Sequence, residues 1–266
     1  MERIFNYSRF GKYFMYDLNN AKNNYGLSLL ILGLLPVTLF VFSVLFGILF
    51  GSGEIALATA SKVSVYAVAM CAIVISSPTK LYGHLTEKRA GSDWLMIPAS
   101  SFEKFLSMMI IVCLVLPLGF HALFLGSDWL LSLVFPSYGD PVMLNGVKWI
   151  SESMNSSDYM DITAAGKSVF LLEFCSGILP FVLGALWFKR SKPAKTILAL
   201  MAVGMVVSSL TVFFFTHTSI DFDALFENLS AQSLQTWLNI LVNVYFLVVI
   251  GGLMTAIFFR IKTLKH

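Results

Sequence analysis

The stretch LSLLILGLLPVTLFVFSVLFGILF, from Leu27 to Phe50, decides the fold of this chain. None of its residues carries a charge, and a helix of this length, rising 1.5 Å per residue, exceeds the ~30 Å thickness of a bilayer's hydrocarbon core. Lipid offers no partner to unpaired backbone groups, so such a segment crosses a membrane as a helix. We interpret it as an uncleaved membrane anchor.

The rest of the chain is similarly apolar. Hydrophobic residues make up 57% and charged residues 12% of the 266 residues, and the mean hydropathy is +0.79. A soluble domain of this composition would expose more apolar surface than water tolerates. The sequence therefore predicts an all-α integral membrane protein with six transmembrane helices. These spans are expected at residues 27–50, 63–81, 105–126, 168–188, 196–216 and 237–259.

The basic residues are distributed unevenly about these spans. If the N-terminus is cytoplasmic, only Lys62, Lys148 and Lys167 of the 18 Lys and Arg residues fall on the outer side. Cytoplasmic segments of membrane proteins are enriched in Lys and Arg, so this pattern predicts that both termini are cytoplasmic. The net charge of +3 hides this asymmetry and does not point to a nucleic-acid partner.

Two segments outside the spans complete a single predicted transmembrane domain over residues 1–266. Residues 1–26 are expected to form an amphipathic helix at the cytoplasmic interface, with a solvated leader as the alternative. Asp17 interrupts its apolar face. Residues 127–167 form a long outer loop that is too apolar to lie entirely in water, and we expect part of it to rest on the membrane surface.

A charged island, EKRAGSDWLMIPASSFEK, runs from Glu87 to Lys104 between the second and third spans. Residues that precede a proline avoid the α conformation, so Pro98 is predicted to end a short helix. Ser100 and Glu103 have the spacing of a capping box at the start of the third span. The sequence therefore predicts a capped cytoplasmic segment over residues 82–104.

This pattern resembles the segment between the second and third spans in membrane permease subunits of the type-2 ABC exporter family (ABC-2-like transporter permeases). The matching residues are Glu87, Lys88, Gly91, Ser92, Leu95, Pro98, Ser100 and Glu103. In two respects the chain departs from the family: Ser101 stands where a basic residue is common, and the longest outer loop follows the third span. The outer gate and the substrate path are therefore not carried over.

The resemblance implies a permease subunit of an ATP-driven exporter in the cytoplasmic (inner) membrane of a bacterium, with no cofactor of its own. It implies three partners: a separate ABC ATPase subunit, a second permease copy or paralogue, and the lipid bilayer. The residues expected to couple to the ATPase are Glu87, Arg89, Gly91, Trp94, Pro98 and Glu103. The alternative is a membrane scaffold or accessory protein without transport activity, because many membrane proteins have a charged, capped inner loop.

Polar residues within the predicted spans are few. Glu173 and His121 lie at similar depths in the fourth and third spans, and we predict a polar contact between them as one possibility. The plainer alternative is that Glu173 reaches the outer interface and His121 packs there. The sequence contains no phosphate-binding loop, no HExxH and no GxSxG, and its cysteines lack metal-ligand spacing. An enzyme and a metal site are therefore not predicted.

Overall fold

The computed structural model describes residues 5–50, 59–87, 91, 94, 96–142, 166–217 and 231–263. Helices account for nearly all of these residues and none of them lies in a strand, which confirms the predicted all-α class for this part of the chain. The helices are α1 (Tyr7–Gly33), α2 (Leu35–Phe50), α3 (Thr59–Tyr82), α4 (Ser101–Ile110), α5 (Leu116–Val134), α6 (Gly166–Trp187), α7 (Lys192–His217) and α8 (Ala231–Thr263).

Among the described residues, four helical stretches are long and apolar enough to cross a membrane. They are Thr59–Thr86, Ser101–Val134, Lys192–Phe214 and Ile240–Thr263. The pair α1 and α2, bent by 42°, can form a fifth, and α6 contributes a shorter apolar stretch, Phe174–Trp187. The chain therefore has the helices of a multi-pass membrane protein. Six spans and cytoplasmic termini stay predictions.

The first predicted span is broken at Leu34, between α1 and α2. Pro36 explains the break: it has no backbone N–H to donate, and its ring would collide with the carbonyl group four residues earlier. In place of a continuous helix, the N–H of Val37 donates to the carbonyl of Leu34 over 3.1 Å. The chain direction therefore changes inside the apolar stretch.

Helix α1 runs without interruption past residue 26, where the predicted interfacial helix was expected to end. Four of its residues at intervals of four are buried: Tyr13, Asp17, Ala21 and Tyr25. This spacing places them on one face, and α1 packs through contacts with α4 and α5. The N-terminal helix is therefore part of a packed unit.

The third predicted span is the helical stretch formed by α4, a π-helical turn at Ile111–Val115, and α5. Pro117 follows this turn directly. The wider π turn gives room to the proline ring, which in a regular helix would collide with the carbonyl of Cys113. The helix continues to Val134, so the first part of the predicted outer loop is helical.

The contacts of the chain divide it into two compact units. One comprises Met1–Leu81 and Ile97–Thr163, and the other Tyr82–Met96 and Ala164–His266. The core of the first unit contains Ala69 and Ile73 of α3 with Phe120 and Phe124 of α5. The single predicted domain thus has two packing centres. The chain changes unit after Leu81 and after Met96, both within the predicted cytoplasmic segment, and again after Thr163.

In the second unit, α6 packs against both α7 and α8. The backbone of α6 lies so close to α7 at Gly184 that any Cβ atom there would overlap Thr196. At the same end, Arg260 of α8 donates from Nε to the carbonyl of Leu186 over 3.2 Å. The glycine and the arginine therefore fix both neighbours against one end of α6.

Candidate functional site

The predicted cytoplasmic segment starts with a 3-10 helix, Gly83–Thr86, directly after α3. Its described residues Gly91, Trp94 and Met96 are helical, and the helical conformation ends before Pro98. This agrees with the predicted stop at the proline, since the residue before a proline avoids the α conformation. The described residues of the segment are therefore helical before the proline and non-helical directly after it.

The predicted capping box at the start of the third span is confirmed. The side chain of Ser100 accepts from the backbone N–H of Glu103 over 3.2 Å, and Glu103 Oε2 accepts from the N–H of Ser100 over 2.9 Å. Two N–H groups that a helix end leaves unpaired are thereby satisfied. The turn after Pro98 is thus fixed to α4.

Glu103 also binds the N-terminal helix. Arg9 Nε donates to Oε2 at 2.8 Å and Arg9 Nη2 donates to Oε1 at 3.0 Å, while the N–H of Asn6 donates to Oε1 at 2.9 Å. The Glu103 side chain is 0% exposed and that of Arg9 is 40% exposed. A buried carboxylate requires such compensation, and here the guanidinium and two backbone N–H groups supply it.

A second polar contact joins the same two helices further along. Ser107 Oγ donates to Asp17 Oδ2 over 2.7 Å, and both side chains are buried. Asp17, which interrupts the apolar face in the sequence, therefore faces a partner in α4 and not lipid or water. We call the assembly of α1 residues 7–21 with α4 the paired arm.

The six predicted coupling residues differ in their exposure. Glu87 and Pro98 are exposed, whereas Gly91, Trp94 and Glu103 are buried, and Arg89 lies outside the described residues. A buried side chain offers no surface to a partner. Glu103 in this structure holds the paired arm together, and Glu87 and Pro98 remain at the surface where a partner can reach them.

A groove of about 430 Å³ lies beside the paired arm, between the start of α1 and the turn at Pro98. It is lined by polar, basic and aromatic side chains, among them Arg9, Lys12 and Tyr16. Lys12 and Tyr16 are exposed. The N-terminal helix thus contributes to the same surface as the turn, which sequence spacing alone did not indicate.

In the second unit, the segment is held at its other end. The buried Lys192, at the start of α7, donates from Nζ to the carbonyl of Gly83. Glu87, four residues after Gly83, interacts electrostatically with Lys192. Within that unit the first turn of the predicted cytoplasmic segment is therefore tied to the start of α7.

The intramembrane histidine has partners that the sequence did not suggest. The ring nitrogens of His121 lie 2.6 Å from Tyr66 Oη and 2.6 Å from the carbonyl oxygen of Pro117. A carbonyl can only accept, so Nδ1 carries a proton, and in a neutral ring Nε2 accepts from Tyr66. The side chain of Glu173 lies outside the described side chains, and its contact with His121 stays a prediction.

Sequence reasoning missed a buried polar network at the start of the predicted outer loop. Lys62 Nζ donates to the carbonyls of Tyr138 and Asp140 over 2.8 and 3.0 Å and lies 3.5 Å from the centre of the Tyr138 ring. Tyr138 Oη donates to Asp128 Oδ1 over 2.5 Å, and Asp128 Oδ2 accepts from the N–H of Val142 over 2.6 Å.

Within this network the pKa of one hydroxyl group outside the membrane-spanning helices, that of Tyr138, is raised strongly. Burial raises the pKa of Tyr138, and the hydrogen bond to the negative Asp128 raises it further. The hydroxyl therefore remains a proton donor. The charge of Lys62 compensates that of Asp128 across the aromatic ring, and the chain from Pro136 to Val142 is held against α3 and α5.

Comparison of the chain with protein-family models, with curated proteins and with solved structures finds no match. The functional conclusion therefore depends on the residues and contacts above. The most developed polar contacts are those of the paired arm in the first unit, and those that hold the start of the predicted cytoplasmic segment in the second.

Proposed function

We propose that this protein is the membrane-spanning permease subunit of an ATP-driven ABC-type exporter, and that it couples to a separate ATPase through residues 82–104. The observation that supports this most directly is where the chain passes between its two units. It enters the second unit at Tyr82 and returns to the first at Ile97. Through the chain itself this short segment is continuous with both units, and in our proposal an ATPase bound to it acts on the helices at each end.

The contacts at the two ends of the segment suit it for force transmission. Lys192 holds its start within the second unit, and the capping box with Arg9 and Glu103 holds the residues after Pro98 within the first. A flexible linker would absorb a push by rearranging its own backbone dihedrals. A short segment anchored at both ends passes the push to the helices that follow it.

The proposal includes the partners that the family resemblance implies. The ATPase is a separate chain, and a second permease copy or paralogue is required because one subunit encloses too little surface for a pathway. The location proposed is the cytoplasmic membrane of a bacterium, with the basic ends of the helices inside. The multi-pass helical architecture is compatible with this location.

The test is to purify the tagged full-length chain in mild detergent and identify copurifying proteins by mass spectrometry. The expected result is a stoichiometric nucleotide-binding subunit. The variants Glu87→Lys and Met96→Lys should each weaken retention of the ATPase by about tenfold, the effect of losing one strong interface residue. Met96 is 80% exposed.

The matched control is Lys262→Glu, another exposed charge reversal on the side expected to be cytoplasmic. Retention of the ATPase in this variant, with loss in Glu87→Lys, would assign the contact to the segment. Purification alone or with an unrelated partner would contradict the proposal and support the scaffold alternative. Glu103 is not used for this test because its replacement also disrupts the paired arm.

A further inference from the structure

The second unit contains an apolar cleft of about 570 Å³ between α6, α7 and α8. Its walls include Pro180 and Trp187 of α6, Leu200 and Val203 of α7, and Val249 of α8. From Ser176 to Trp187 along α6 the cleft extends for about 16 Å at 1.5 Å per residue. This is close to the thickness of one leaflet of a ~30 Å hydrocarbon core.

The cleft follows from how the three helices are joined. Gly184 allows α7 to touch α6, and Arg260 fixes α8 beside Leu186, so the helices are held together at one end. Away from this end the side chains of α7 are largely exposed: Val203 is 60% exposed and Leu200 is 41% exposed. An open, largely apolar space remains between the helices.

One end of the cleft is strongly basic. Phe188 and Thr196 line this end, and the connection between them carries Lys189, Arg190 and Lys195, all of them exposed. The sequence from Ser176 to His217 contains no acidic residue. The Arg260 guanidinium lies 5.4 Å from the centre of the Trp187 ring at the same end, and a tryptophan beside cations is typical of the level of lipid headgroups.

We propose that this cleft binds an anionic phospholipid, with one acyl chain between α6, α7 and α8 and the phosphate at Lys189, Arg190 and Lys195. An acyl chain suits apolar walls about one leaflet long, because it replaces contacts that the diverging helices cannot make with each other. The phosphate suits a cluster of three exposed cations, and the carboxylate of Glu87 interacts with the buried Lys192 of the same connection. This inference does not depend on ATP-driven export.

The test measures phospholipid binding to the delipidated, full-length protein in detergent by native mass spectrometry, with phosphatidylglycerol and phosphatidylcholine as probes. The wild type should retain phosphatidylglycerol at least about tenfold better, because only this lipid has a net negative charge at the basic end. Equal binding of the two lipids would overturn the proposed role of the cations.

The walls are tested by Leu200→Trp, which places a bulky ring in the cleft, against Leu198→Trp as its control. Leu198 is in the same helix, is 65% exposed and does not line the cleft. Loss of phosphatidylglycerol with Leu200→Trp alone supports the site. Equal binding of phosphatidylglycerol by the two variants would overturn it. A second copy of the chain that covers the same surface and excludes the lipid would also overturn it.

The basic end is tested by the double variant Lys189→Gln with Lys195→Gln, against Lys12→Gln with Lys22→Gln. All four lysines are exposed, so neither variant removes a buried contact. The first should reduce phosphatidylglycerol binding by about tenfold or more, and the second should leave it unchanged. An equal reduction in both would show general charge attraction and contradict a built site.

Discussion

Arg9 and Glu103 are separated by 94 residues in the sequence, and their charged groups meet at 2.8 Å. The pair joins the N-terminal helix to the helix that begins the third predicted span. Its two members are unequally placed, because the Glu103 carboxylate is fully buried whereas Arg9 retains contact with solvent. Loss of Arg9 and loss of the Glu103 charge should therefore have different effects on stability.

Replacing Arg9 with Ala should destabilise the protein more than replacing Glu103 with Gln. The first change leaves a buried carboxylate without its countercharge, for which we expect a loss of about 2–3 kcal/mol, below the range for fully buried pairs because Arg9 is partly solvated. The second leaves no buried charge, but its single amide oxygen can accept from only one of the N–H groups of Asn6 and Ser100, which bind different carboxylate oxygens, and it should remove about 1–2 kcal/mol. Unfolding in detergent, monitored by circular dichroism, measures both.

The control for this pair is Lys12→Ala, which removes an exposed cation from the same helix and should change the free energy of unfolding by less than about 0.5 kcal/mol. Equal effects of Arg9→Ala and Lys12→Ala would contradict a stabilising role for the ion pair.

Tyr138→Phe tests the network at the start of the outer loop. The substitution removes a buried hydrogen bond to Asp128, and at neutral pH we expect a loss of about 1.5–3 kcal/mol, as for other hydrogen bonds to charged groups. Tyr7→Phe is the control, since Tyr7 is 84% exposed, and it should be nearly neutral.

The same network predicts a dependence on alkaline pH. Burial and then the Asp128 carboxylate raise the pKa of Tyr138 above that of an unfolded tyrosine, about 10. A raised pKa gives stability that is complete below the unfolded value and is lost as the pH rises through the folded value. The stability advantage of wild type over Tyr138→Phe should therefore be constant below about pH 10 and fall above it. An advantage that grows at alkaline pH would contradict this assignment.

Tyr66→Phe tests the hydrogen bond to His121 inside the helical bundle. Hydrogen bonds between membrane helices contribute on average about 0.6 kcal/mol, and a double-mutant cycle with His121→Leu should give a coupling of this size. Adding Glu173→Gln to the His121→Leu background tests the contact predicted from the sequence. A coupling energy of zero in that second cycle would contradict it.

The connection between α6 and α7 turns on Ser191, whose φ of 50° is in the left-handed region. A β-branched residue is strained there, so Ser191→Val should lower the free energy of unfolding by about 1–2 kcal/mol. Ser191→Gly should stay within about 0.5 kcal/mol of wild type, because glycine adopts this conformation freely. Ala194→Val, an exposed position three residues later, controls for β-branching. Similar losses for the two valine variants would contradict strain at Ser191.

Features that depend on neighbouring residues could be predicted well. The apolar windows became helices because a backbone in lipid can satisfy its hydrogen bonds only within the helix, and that requirement is met locally. The capping box at Ser100 and Glu103 was predictable for the same reason, as it involves residues three apart. The ends of the helices were less well predicted. Helix α1 continues beyond residue 26 and α5 beyond residue 126, because polar residues that find hydrogen-bond partners can extend a helix.

The role of Glu103 shows where such reasoning stops. Family resemblance predicted a residue that contacts an ATPase, whereas the structure buries its carboxylate beneath Arg9. No local pattern relates these two residues. The buried network of Lys62, Tyr138 and Asp128 was missed for the same reason. Nothing in the sequence around any of these residues distinguishes it from an ordinary residue of a predicted outer loop.

The sequence by itself determined that this chain is helical, apolar enough for a membrane, unevenly charged about its predicted spans, and capped at Ser100. These properties follow from composition and from contacts within about one helical turn. Only the tertiary structure decided which polar groups meet, where the packing divides, and how α6, α7 and α8 leave a cleft with a basic end. Those outcomes depend on residues far apart in the chain, whose pairing is decided when helices pack and unpaired charges must find partners.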